Sequence, residues 1–432
     1  MLKKGPKRQT DALDLINWGH DVQDKLFEAA LGIQAPWSVK AVDFDVTAKV
    51  LTILIDFKVG SHFAVSGHDG LHPVHDTVTK QYRHLNFFQH ECQLQVRVPR
   101  VKLPDGSVRQ VSPGFEGKLS GFTLLFEALM LLLAQQMPFA AVARLVGISA
   151  HRVIAICSRY VDLALGTADF SEVTALAIDE TSRARGHNYI TLAADANARR
   201  VLCVTEGHDT AAVEEVAKQL QDHGCAPGQI ESVSIDMSHA FIKGCSQHLP
   251  NACITFDKFH VVGYANVAVD KMRRIEQRSN KSLRGMRWTL LKDRAKLKPE
   301  AAADLDTLVG NISRVRTARA WAYKEQLREI LERKQINVVR AMLKHWCSRV
   351  LRSKVEPMRD VARMVLRHFE GIVAWARTRQ TNGFLEALNG LFQAAKRRAR
   401  GYGRFSTIRV VIFLIAGKLD FSMINPHAGQ PT

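Results

Sequence analysis

Three acidic side chains in different local patterns could together bind divalent metal ions. Asp179 in "ALAIDETSRARG" and Asp236 in "SVSIDMSHAF" each follow a short β-branched, apolar run, which is typical of the end of a buried strand. Glu386 lies one turn into a predicted helix that opens with Asn382 and Gly383 as capping residues. Steps of three and four residues place Glu386 on one helix face with Asn389, Gln393 and Arg397.

Carboxylates that meet at one rim of a sheet can hold Mg²⁺ or Mn²⁺, because these hard ions prefer oxygen ligands. Two such ions can activate an oxygen nucleophile, stabilise a leaving oxygen and neutralise charge around phosphorus. We therefore expect Asp179 to bridge two ions, Asp236 to complete one site and Glu386 to complete the other. A single aspartate at a strand end is more often a turn or cap residue, so the prediction depends on all three acids.

Other side chains near this rim are expected to play supporting roles. Glu180 would face away from Asp179 in a continuing strand, which favours a structural role. Asp257 in "FDKFH" ends a later strand at the same rim, where Asp257 and His260 could support the acids or contact DNA. Asn389 belongs to the same supporting group. Asp195 ends an antiparallel strand and should therefore lie at the opposite rim.

The charge of the chain predicts a polyanionic partner. Sixty basic residues against 42 acidic ones give a formal charge of +18, which favours nucleic acid or an anionic membrane. The best apolar run, residues 122–134, contains Glu127 and is too short to span a bilayer, so we expect no membrane partner. A basic run usually marks a solvated helix face, but the run after Glu386 lacks any acid. We expect double-stranded DNA to contact Lys396, Arg397, Arg398, Arg400 and Arg404.

The cysteines and the N-terminus predict a reduced, cytoplasmic protein. Seven cysteines are scattered singly along the chain, so we expect no disulfide framework. The opening "MLKKGPKRQT" is basic, but an amphipathic, acidic stretch follows it where a secretory signal would have an apolar core.

Residues 1–118 form a predicted β-rich module that contains a possible zinc site. Strand-like stretches at 38–60 and 91–111 indicate two hairpins, the second turning at Pro-Asp-Gly. Between them lie His68, His72 and His75, which could bind Zn²⁺ but lack a matched downstream pair of ligands. Solvated loop histidines are the alternative, and we regard zinc as doubtful.

Residues 119–168 contain a predicted helix-turn-helix. In "MPFAAVARLVGISAHRVIAICSRYV", Gly147 supplies the turn and Ser149 caps the second helix. That helix could present His151 and Arg152 to bases in the major groove. An ordinary helical hairpin is the alternative, and the positive charge favours DNA binding.

The strand pattern from residue 172 onward predicts an α/β domain. Three strands, a helix, a strand, a helix and a strand follow in the order of an RNase H-like fold with a mixed five-stranded sheet. In that fold the first and fourth strands are parallel neighbours, which brings Asp179 and Asp236 together. We expect the catalytic domain to comprise 169–262 and 375–420, with an all-helical insertion at 263–374.

Several long motifs resemble the DDE transposases of bacterial insertion sequences, specifically the ISL-three group. They are "YRHLNFFQHECQLQVRVPRV", "SGFTLLFEALML", "AIDETSRARGHNYITLAADANARRVL", "SIDMSHAFIKG", "ITFDKFHVV" and "TNGFLEALNGLFQAAKRRARGYGRFSTIR". The resemblance runs from about 40 to 420 and implies Asp179, Asp236 and Glu386 as the catalytic triad. The family resemblance also implies an N-terminal zinc-binding segment with paired cysteines. This chain has Val65 and His68 at the position of the first pair, and the later pair, near Leu103, is missing. Either histidines replace these ligands or the metal is absent.

The resemblance implies a transposase that binds terminal inverted repeats and target DNA, then cuts and joins DNA at the acidic site. Because two ends must be paired, a homodimer or higher homo-oligomer on nucleoid DNA is expected. One alternative is a catalytically silent derivative that acts as a repressor. Another is an RNase H-like nuclease without strand transfer.

Overall fold

A computed structural model of the chain describes residues 24–184 and 188–428. These residues form two compact units, one of residues 24–167, 397–414 and 419–428, and the other of residues 168–396 and 415–418. The predicted absence of a secretory signal concerns the first residues of the chain, and residues 1–23 lie outside the described ones.

The first unit contains a mixed sheet with the strand order β1-β2-β5-β4-β3, and β6 pairs with β5. A helix at 24–31, α1, precedes it. The antiparallel pairs β1–β2 and β5–β6 confirm both predicted hairpins, and the Asp105 carboxylate accepts the Ser107 N–H at the second turn. The strands are β1 Trp37–Asp45, β2 Val50–Phe57, β3 His62–Val65, β4 His68–Phe87, β5 His90–Lys102 and β6 Val108–Gln110.

The histidine segment between these hairpins is not a loop, so that expectation was wrong. His68 and His72 lie in β4, where they pair with Val65 and Phe63 of β3. Farther along, β4 pairs antiparallel with β5. The segment lacks an apolar alternation because most of its side chains are exposed, and backbone pairing stabilises it instead.

Three helices follow the sheet, α2 Leu124–Gln136, α3 Phe139–Val146 and α4 Ala150–Gly166. The turn between α3 and α4 confirms the predicted helix-turn-helix shape, because Gly147 is left-handed with φ 74° and the Ser149 hydroxyl accepts the Arg152 N–H. No single described helix is long and apolar enough to cross a membrane. Together α3 and α4 pass the same test of length and composition, but they bend by 114° where they meet.

The second unit contains a mixed sheet with the strand order β11-β10-β7-β8-β9. As predicted, β7 and β10 are parallel neighbours and β8 is antiparallel to β7. The elements are β7 Ala175–Ala184, β8 Asn188–Asp195, β9 Arg200–Glu206, α5 Thr210–Asp222, β10 Ser232–Ile235, α6 His239–His248 and β11 Cys253–Phe256. One apolar core, which includes Leu176, Val233 and Phe256, joins this sheet to the helices around it.

The described chain is helical from residue 258 to 378, as the sequence predicted. The helices are α7 Lys258–Glu276, α8 Arg287–Leu291, α9 Pro299–Gly310, α10 Arg316–Glu332, α11 Ile336–Leu351, α12 Glu356–Arg367 and α13 Phe369–Thr378. Two more helices follow among the described residues, α14 Gly383–Arg398 and α15 Phe405–Ala416. Short 3₁₀ turns lie at Pro227–Gln229, Lys281–Leu283 and Arg294–Lys296.

Asp179 does not end its strand, which corrects the sequence prediction. It pairs with Leu192 in the middle of the β7–β8 ladder, and β7 continues to Ala184. The apolar run stops earlier because parallel pairing with β10 covers only residues 175–177 of β7. Beyond this stretch β7 is paired on one side, so polar residues can follow.

Candidate active site

The strand register brings Asp179 and Asp236 to the same level of the sheet. Ser234 of β10 pairs with Ala177 of β7, so two further residues place Asp236 beside Asp179. Burial raises the pKa of the Asp179 carboxyl to about 6, and repulsion from Asp236 and Glu180 adds to this effect. The Glu180 N–H and His260 act in the opposite direction. Two acids are therefore crowded at one point of the rim.

Asp236 lies in the turn that leads from β10 to α6. Its Oδ1 accepts the Ser238 N–H at 2.9 Å, which fixes the orientation of the carboxylate. Burial raises the pKa of Glu180, and the charge of Asp236 raises it further. Glu180 therefore lies within the electrostatic reach of the site, although it succeeds Asp179 in the strand.

Helix α14 lies along β7, and three polar side chains of the helix donate hydrogen bonds to this strand. Asn389 Nδ2 donates to Asp179 Oδ2 at 2.9 Å, and Gln393 Nε2 donates to Thr181 Oγ1 at 3.1 Å. One turn farther, Lys396 Nζ donates to the Ser182 carbonyl at 3.1 Å. The predicted polar face therefore faces the strand that carries Asp179, and Lys396 is engaged within the protein.

The start of α14 is fixed by a buried clamp that sequence reasoning missed. Asn382 donates its backbone N–H to Asp257 Oδ2 at 2.6 Å and its side-chain Nδ2 to the Ile178 carbonyl at 3.2 Å. The other oxygen of Asp257 accepts the Phe259 N–H and caps α7. Both Asp257 and Asn382 are fully buried, so Asp257 supports the site and does not offer a surface for DNA. The sequence indicated only a helix cap at Asn382.

Glu386 faces His260 of α7. His260 Nε2 lies 3.6 Å from Glu386 Oε1, and half of the Glu386 side chain is exposed. His260 also interacts electrostatically with Asp179. The histidine therefore links the acid on α14 to the acids on the sheet.

Among the described residues, no three His, Cys, Asp or Glu side chains are arranged to hold a metal ion as they stand. The donors near Asp179 nevertheless fit a hard cation. Burial, with a smaller contribution from the neighbouring acids, raises the pKa of Asp179, and the buried side-chain oxygen of Asn389 has no hydrogen-bond partner. Carboxylate and amide oxygens are the ligand types that magnesium prefers.

Comparison with known sequences identifies the family. The sequence profile of the ISL3 transposases matches residues 176–412, more than half of the chain, and the helix-turn-helix domain of transposase family ISL3 matches residues 117–161. The chain belongs to the ISL3 family of transposases. It is therefore an enzyme of DNA transposition with a DNA-binding helix-turn-helix, and DDE transposases generally use divalent metal ions.

Two curated transposases are similar over most of their length. The transposase for insertion sequence element IS1001 of Bordetella parapertussis is 26% identical over 340 residues, which cover 76% of this chain and 82% of the relative. The transposase for insertion sequence element IS1557 of Mycobacterium tuberculosis is 26% identical over 352 residues, which cover 75% and 78% of the two chains.

The first arginine of α4, the second helix of the helix-turn-helix in this transposase, contacts the protein itself. Arg152 donates to the Ser120 carbonyl at 2.9 Å, and its guanidinium lies 4.3 Å from the centre of the Phe122 ring. His151 is exposed at the start of α4, as predicted, and Arg159 is exposed two turns later. His151, Arg152 and Arg159 are therefore all exposed on α4, and Arg152 also contacts the loop before α2.

The other predicted DNA and zinc residues lie on the first unit. Four basic side chains that follow Lys396 are exposed, namely Arg397, Arg398, Arg400 and Arg404. His68 and His75 are exposed, whereas His72 is buried with its Nε2 unpaired. These histidines are not part of any metal-binding group in the described chain.

Proposed function

We propose that this transposase binds the terminal inverted repeats of an insertion sequence and cleaves and joins DNA at Asp179, Asp236 and Glu386. The observation that supports this site most strongly is the parallel register that sets Asp236 beside Asp179 while α14 lies along the same strand. The site would act on double-stranded repeat and target DNA at the nucleoid.

The acidic site is proposed to hold two Mg²⁺ or Mn²⁺ ions. Asp179 would contact both ions, Asp236 one and Glu386 the other. Bound ions of this kind supply an activated oxygen nucleophile and neutralise charge on the phosphodiester.

The remaining side chains would position these three acids. Asn389 donates to one oxygen of Asp179, and its own side-chain oxygen is buried without a hydrogen-bond partner. Asp257 and Asn382 fix the residue from which α14 begins, so Glu386 is placed by a rigid helix. His260 Nε2, 3.6 Å from the Glu386 carboxylate, would orient Glu386 toward the other two acids.

The strand order supports assigning the second sheet to the RNase H-like fold. In that assignment, 169–262 and 375–420 form the catalytic domain, and 263–374 form an all-helical insertion between its second and third acids. Residues 1–118 would form a β-rich recognition module, and 119–168 the helix-turn-helix. His151 and the exposed arginines after Lys396 would contact DNA. A homodimer or higher homo-oligomer would pair the two ends.

The test is cleavage and joining of a labelled DNA that carries the element's own terminal repeat, with Mg²⁺ or Mn²⁺. Wild type is compared with Asp236→Ala and Glu386→Ala, and repeat binding is measured in parallel. The proposal expects metal-dependent nicking and joining in wild type, loss of both in the variants, and unchanged binding. Tight repeat binding without cleavage would identify a repressor-like derivative, and cleavage without joining would identify a nuclease.

A further inference from the structure

One side of α7 is open to solvent and continuous with the acidic site. His260, which faces Glu386, lies in the first turn of this helix. Successive steps of three and four residues place further exposed side chains on the same side, since these steps return to one helix face. We call this side the open face: within α7 it comprises Tyr264, Val267, Lys271 and Arg274, and exposed Arg278 extends it in the turn that follows Glu276. The opposite side of the helix is buried in the core through Ala265, Ala268, Val269 and Met272.

The open face changes in character along its length. Near the acids it is apolar and aromatic, with Tyr264 51% and Val267 67% exposed. At 1.5 Å per residue, Val267 is about 10 Å along the helix from His260, and Arg274 is about 21 Å away. The first basic residue of the open face therefore follows an apolar stretch of roughly two helical turns.

The basic end of the open face is held in a fixed arrangement. The buried Asp270 carboxylate accepts Arg274 Nε at 2.9 Å, although the Arg274 side chain is 63% exposed. Arg273 and Arg287 also approach Asp270, so one carboxylate faces three cations and leaves an excess of positive charge. The Arg287 guanidinium lies over the exposed Trp288 ring at 5.0 Å. This arrangement presents fixed cations beside an aromatic surface.

Such a face matches a DNA strand whose bases are unpaired near the acids. A regular duplex presents phosphates and would match cations along the whole helix, whereas Tyr264 and Val267 offer no charge. Aromatic and apolar side chains bind the faces of unstacked bases, and cations beyond them bind the phosphates. A second copy of the chain is disfavoured, because a two-fold interface would place this cationic face against itself.

We propose that the open face of α7 binds the unpaired DNA strand that leaves the acidic site, with Tyr264 and Val267 against its first bases. Lys271, Arg274 and Arg278 then bind the phosphates that follow. This inference rests on the proposed function, since it takes the acids as the point of cleavage.

The test is equilibrium binding of the full chain to two fluorescent DNA probes in EDTA. One probe is a blunt duplex, and the other is the same duplex with a single-stranded extension of a few nucleotides. Wild type is expected to prefer the extended probe, and Tyr264→Ala combined with Val267→Ser should weaken binding of that probe about five- to tenfold while leaving the blunt duplex unaffected. Val338→Ser, at an exposed valine of α11, is the matched control and should leave both affinities unchanged.

Salt dependence tests the basic end. Arg274→Gln should reduce the slope of log affinity against log salt by about one, whereas Arg363→Gln, an arginine paired with acids on α12, should not. Equal melting temperatures would show that the variants are folded. The inference is overturned if the wild type shows no preference for the extended probe, or if the Tyr264 and Val267 double variant still prefers that probe. It is also overturned if the double substitution converts a dimer of the chain into monomers. Because EDTA removes catalysis, a failure of metal-dependent cleavage would leave this assay readable and would count against the proposed function alone.

Discussion

The clamp between Asp257 and Asn382 can be tested by Asp257→Asn. The aspartate accepts two backbone N–H groups, from Phe259 at 2.8 Å and from Asn382 at 2.6 Å. Asparagine has one acceptor oxygen and one amide donor. It can still cap α7, because asparagine is a good capping residue, but its amide group then meets the Asn382 N–H. The variant therefore loses the bond that fixes the start of α14.

The magnitude follows from the burial of both residues. Hydrogen bonds to a charged group contribute about 1.5–3 kcal/mol, and a buried N–H without a partner costs about 1–3 kcal/mol. We expect Asp257→Asn to lower the free energy of unfolding by about 2–4 kcal/mol. Cleavage should fall further than stability alone explains, because α14 carries both Glu386 and Asn389.

The assay is urea unfolding together with repeat binding and cleavage of the same DNA. The matched control is Asp209→Asn, since Asp209 caps α5 through one bond to the Ala212 N–H and has no second backbone contact of this kind in the described chain. The control should change the unfolding free energy by less than about 0.5 kcal/mol. Equal stabilities for the two variants would refute the clamp. A parallel loss of binding and cleavage would refute its specific role in placing Glu386.

Three further outcomes are expected. Asn389→Ala should slow cleavage about tenfold or more with unchanged repeat binding, because Asp179 loses the donor that orients it; Leu391→Ala, on an exposed position of α14, is the control. Burial and the charges of Arg83 and His427 lower the pKa of His84 from 6.5 to about 4. On acidification the unfolded chain therefore protonates this histidine before the folded protein does. The free energy of unfolding should fall by up to about 3 kcal/mol as the pH drops from about 6.5 to about 4. His84→Asn keeps a hydrogen-bond partner for the Thr123 hydroxyl and should flatten this pH dependence in urea titrations. Arg152→Ala should lower the free energy of unfolding by about 1–2 kcal/mol and weaken binding to all DNA sequences alike. A change in sequence preference would instead show that Arg152 contacts bases.

Local signals account for what the sequence predicted well. Gly147 and Ser149 mark the turn of the helix-turn-helix because their backbone and side-chain preferences act within a few residues. The order of β7 to β11 follows likewise from apolar runs and turns. The exposed histidine strand β4 escaped prediction because its pairing partners, and not its own pattern, make it a strand.

Contacts between distant residues account for what the sequence could not show. Arg152 lies exposed at the predicted position of a base contact, and its guanidinium also donates to the carbonyl of Ser120, 32 residues away. The sequence predicted an all-helical insertion at 263–374, yet only the packing of α7 shows that the exposed side of this helix extends from the acids to the basic residues. The sequence therefore predicted which side chains could do chemistry, but it did not predict which residues they contact.

The long separation between Asp236 and Glu386 does not loosen the site. Their positions differ by 150 residues (386 − 236), but the two ends of the helical stretch between them are in contact. Asp257 precedes the first helix of that stretch and Asn382 follows the last, and these two residues are hydrogen-bonded directly. The entropy of loop closure grows only slowly with loop length, so a stretch pinned at both ends adds little further cost. The placement of Glu386 therefore depends on this pair and on the contacts of α14 with β7 more than on the length of the helices between.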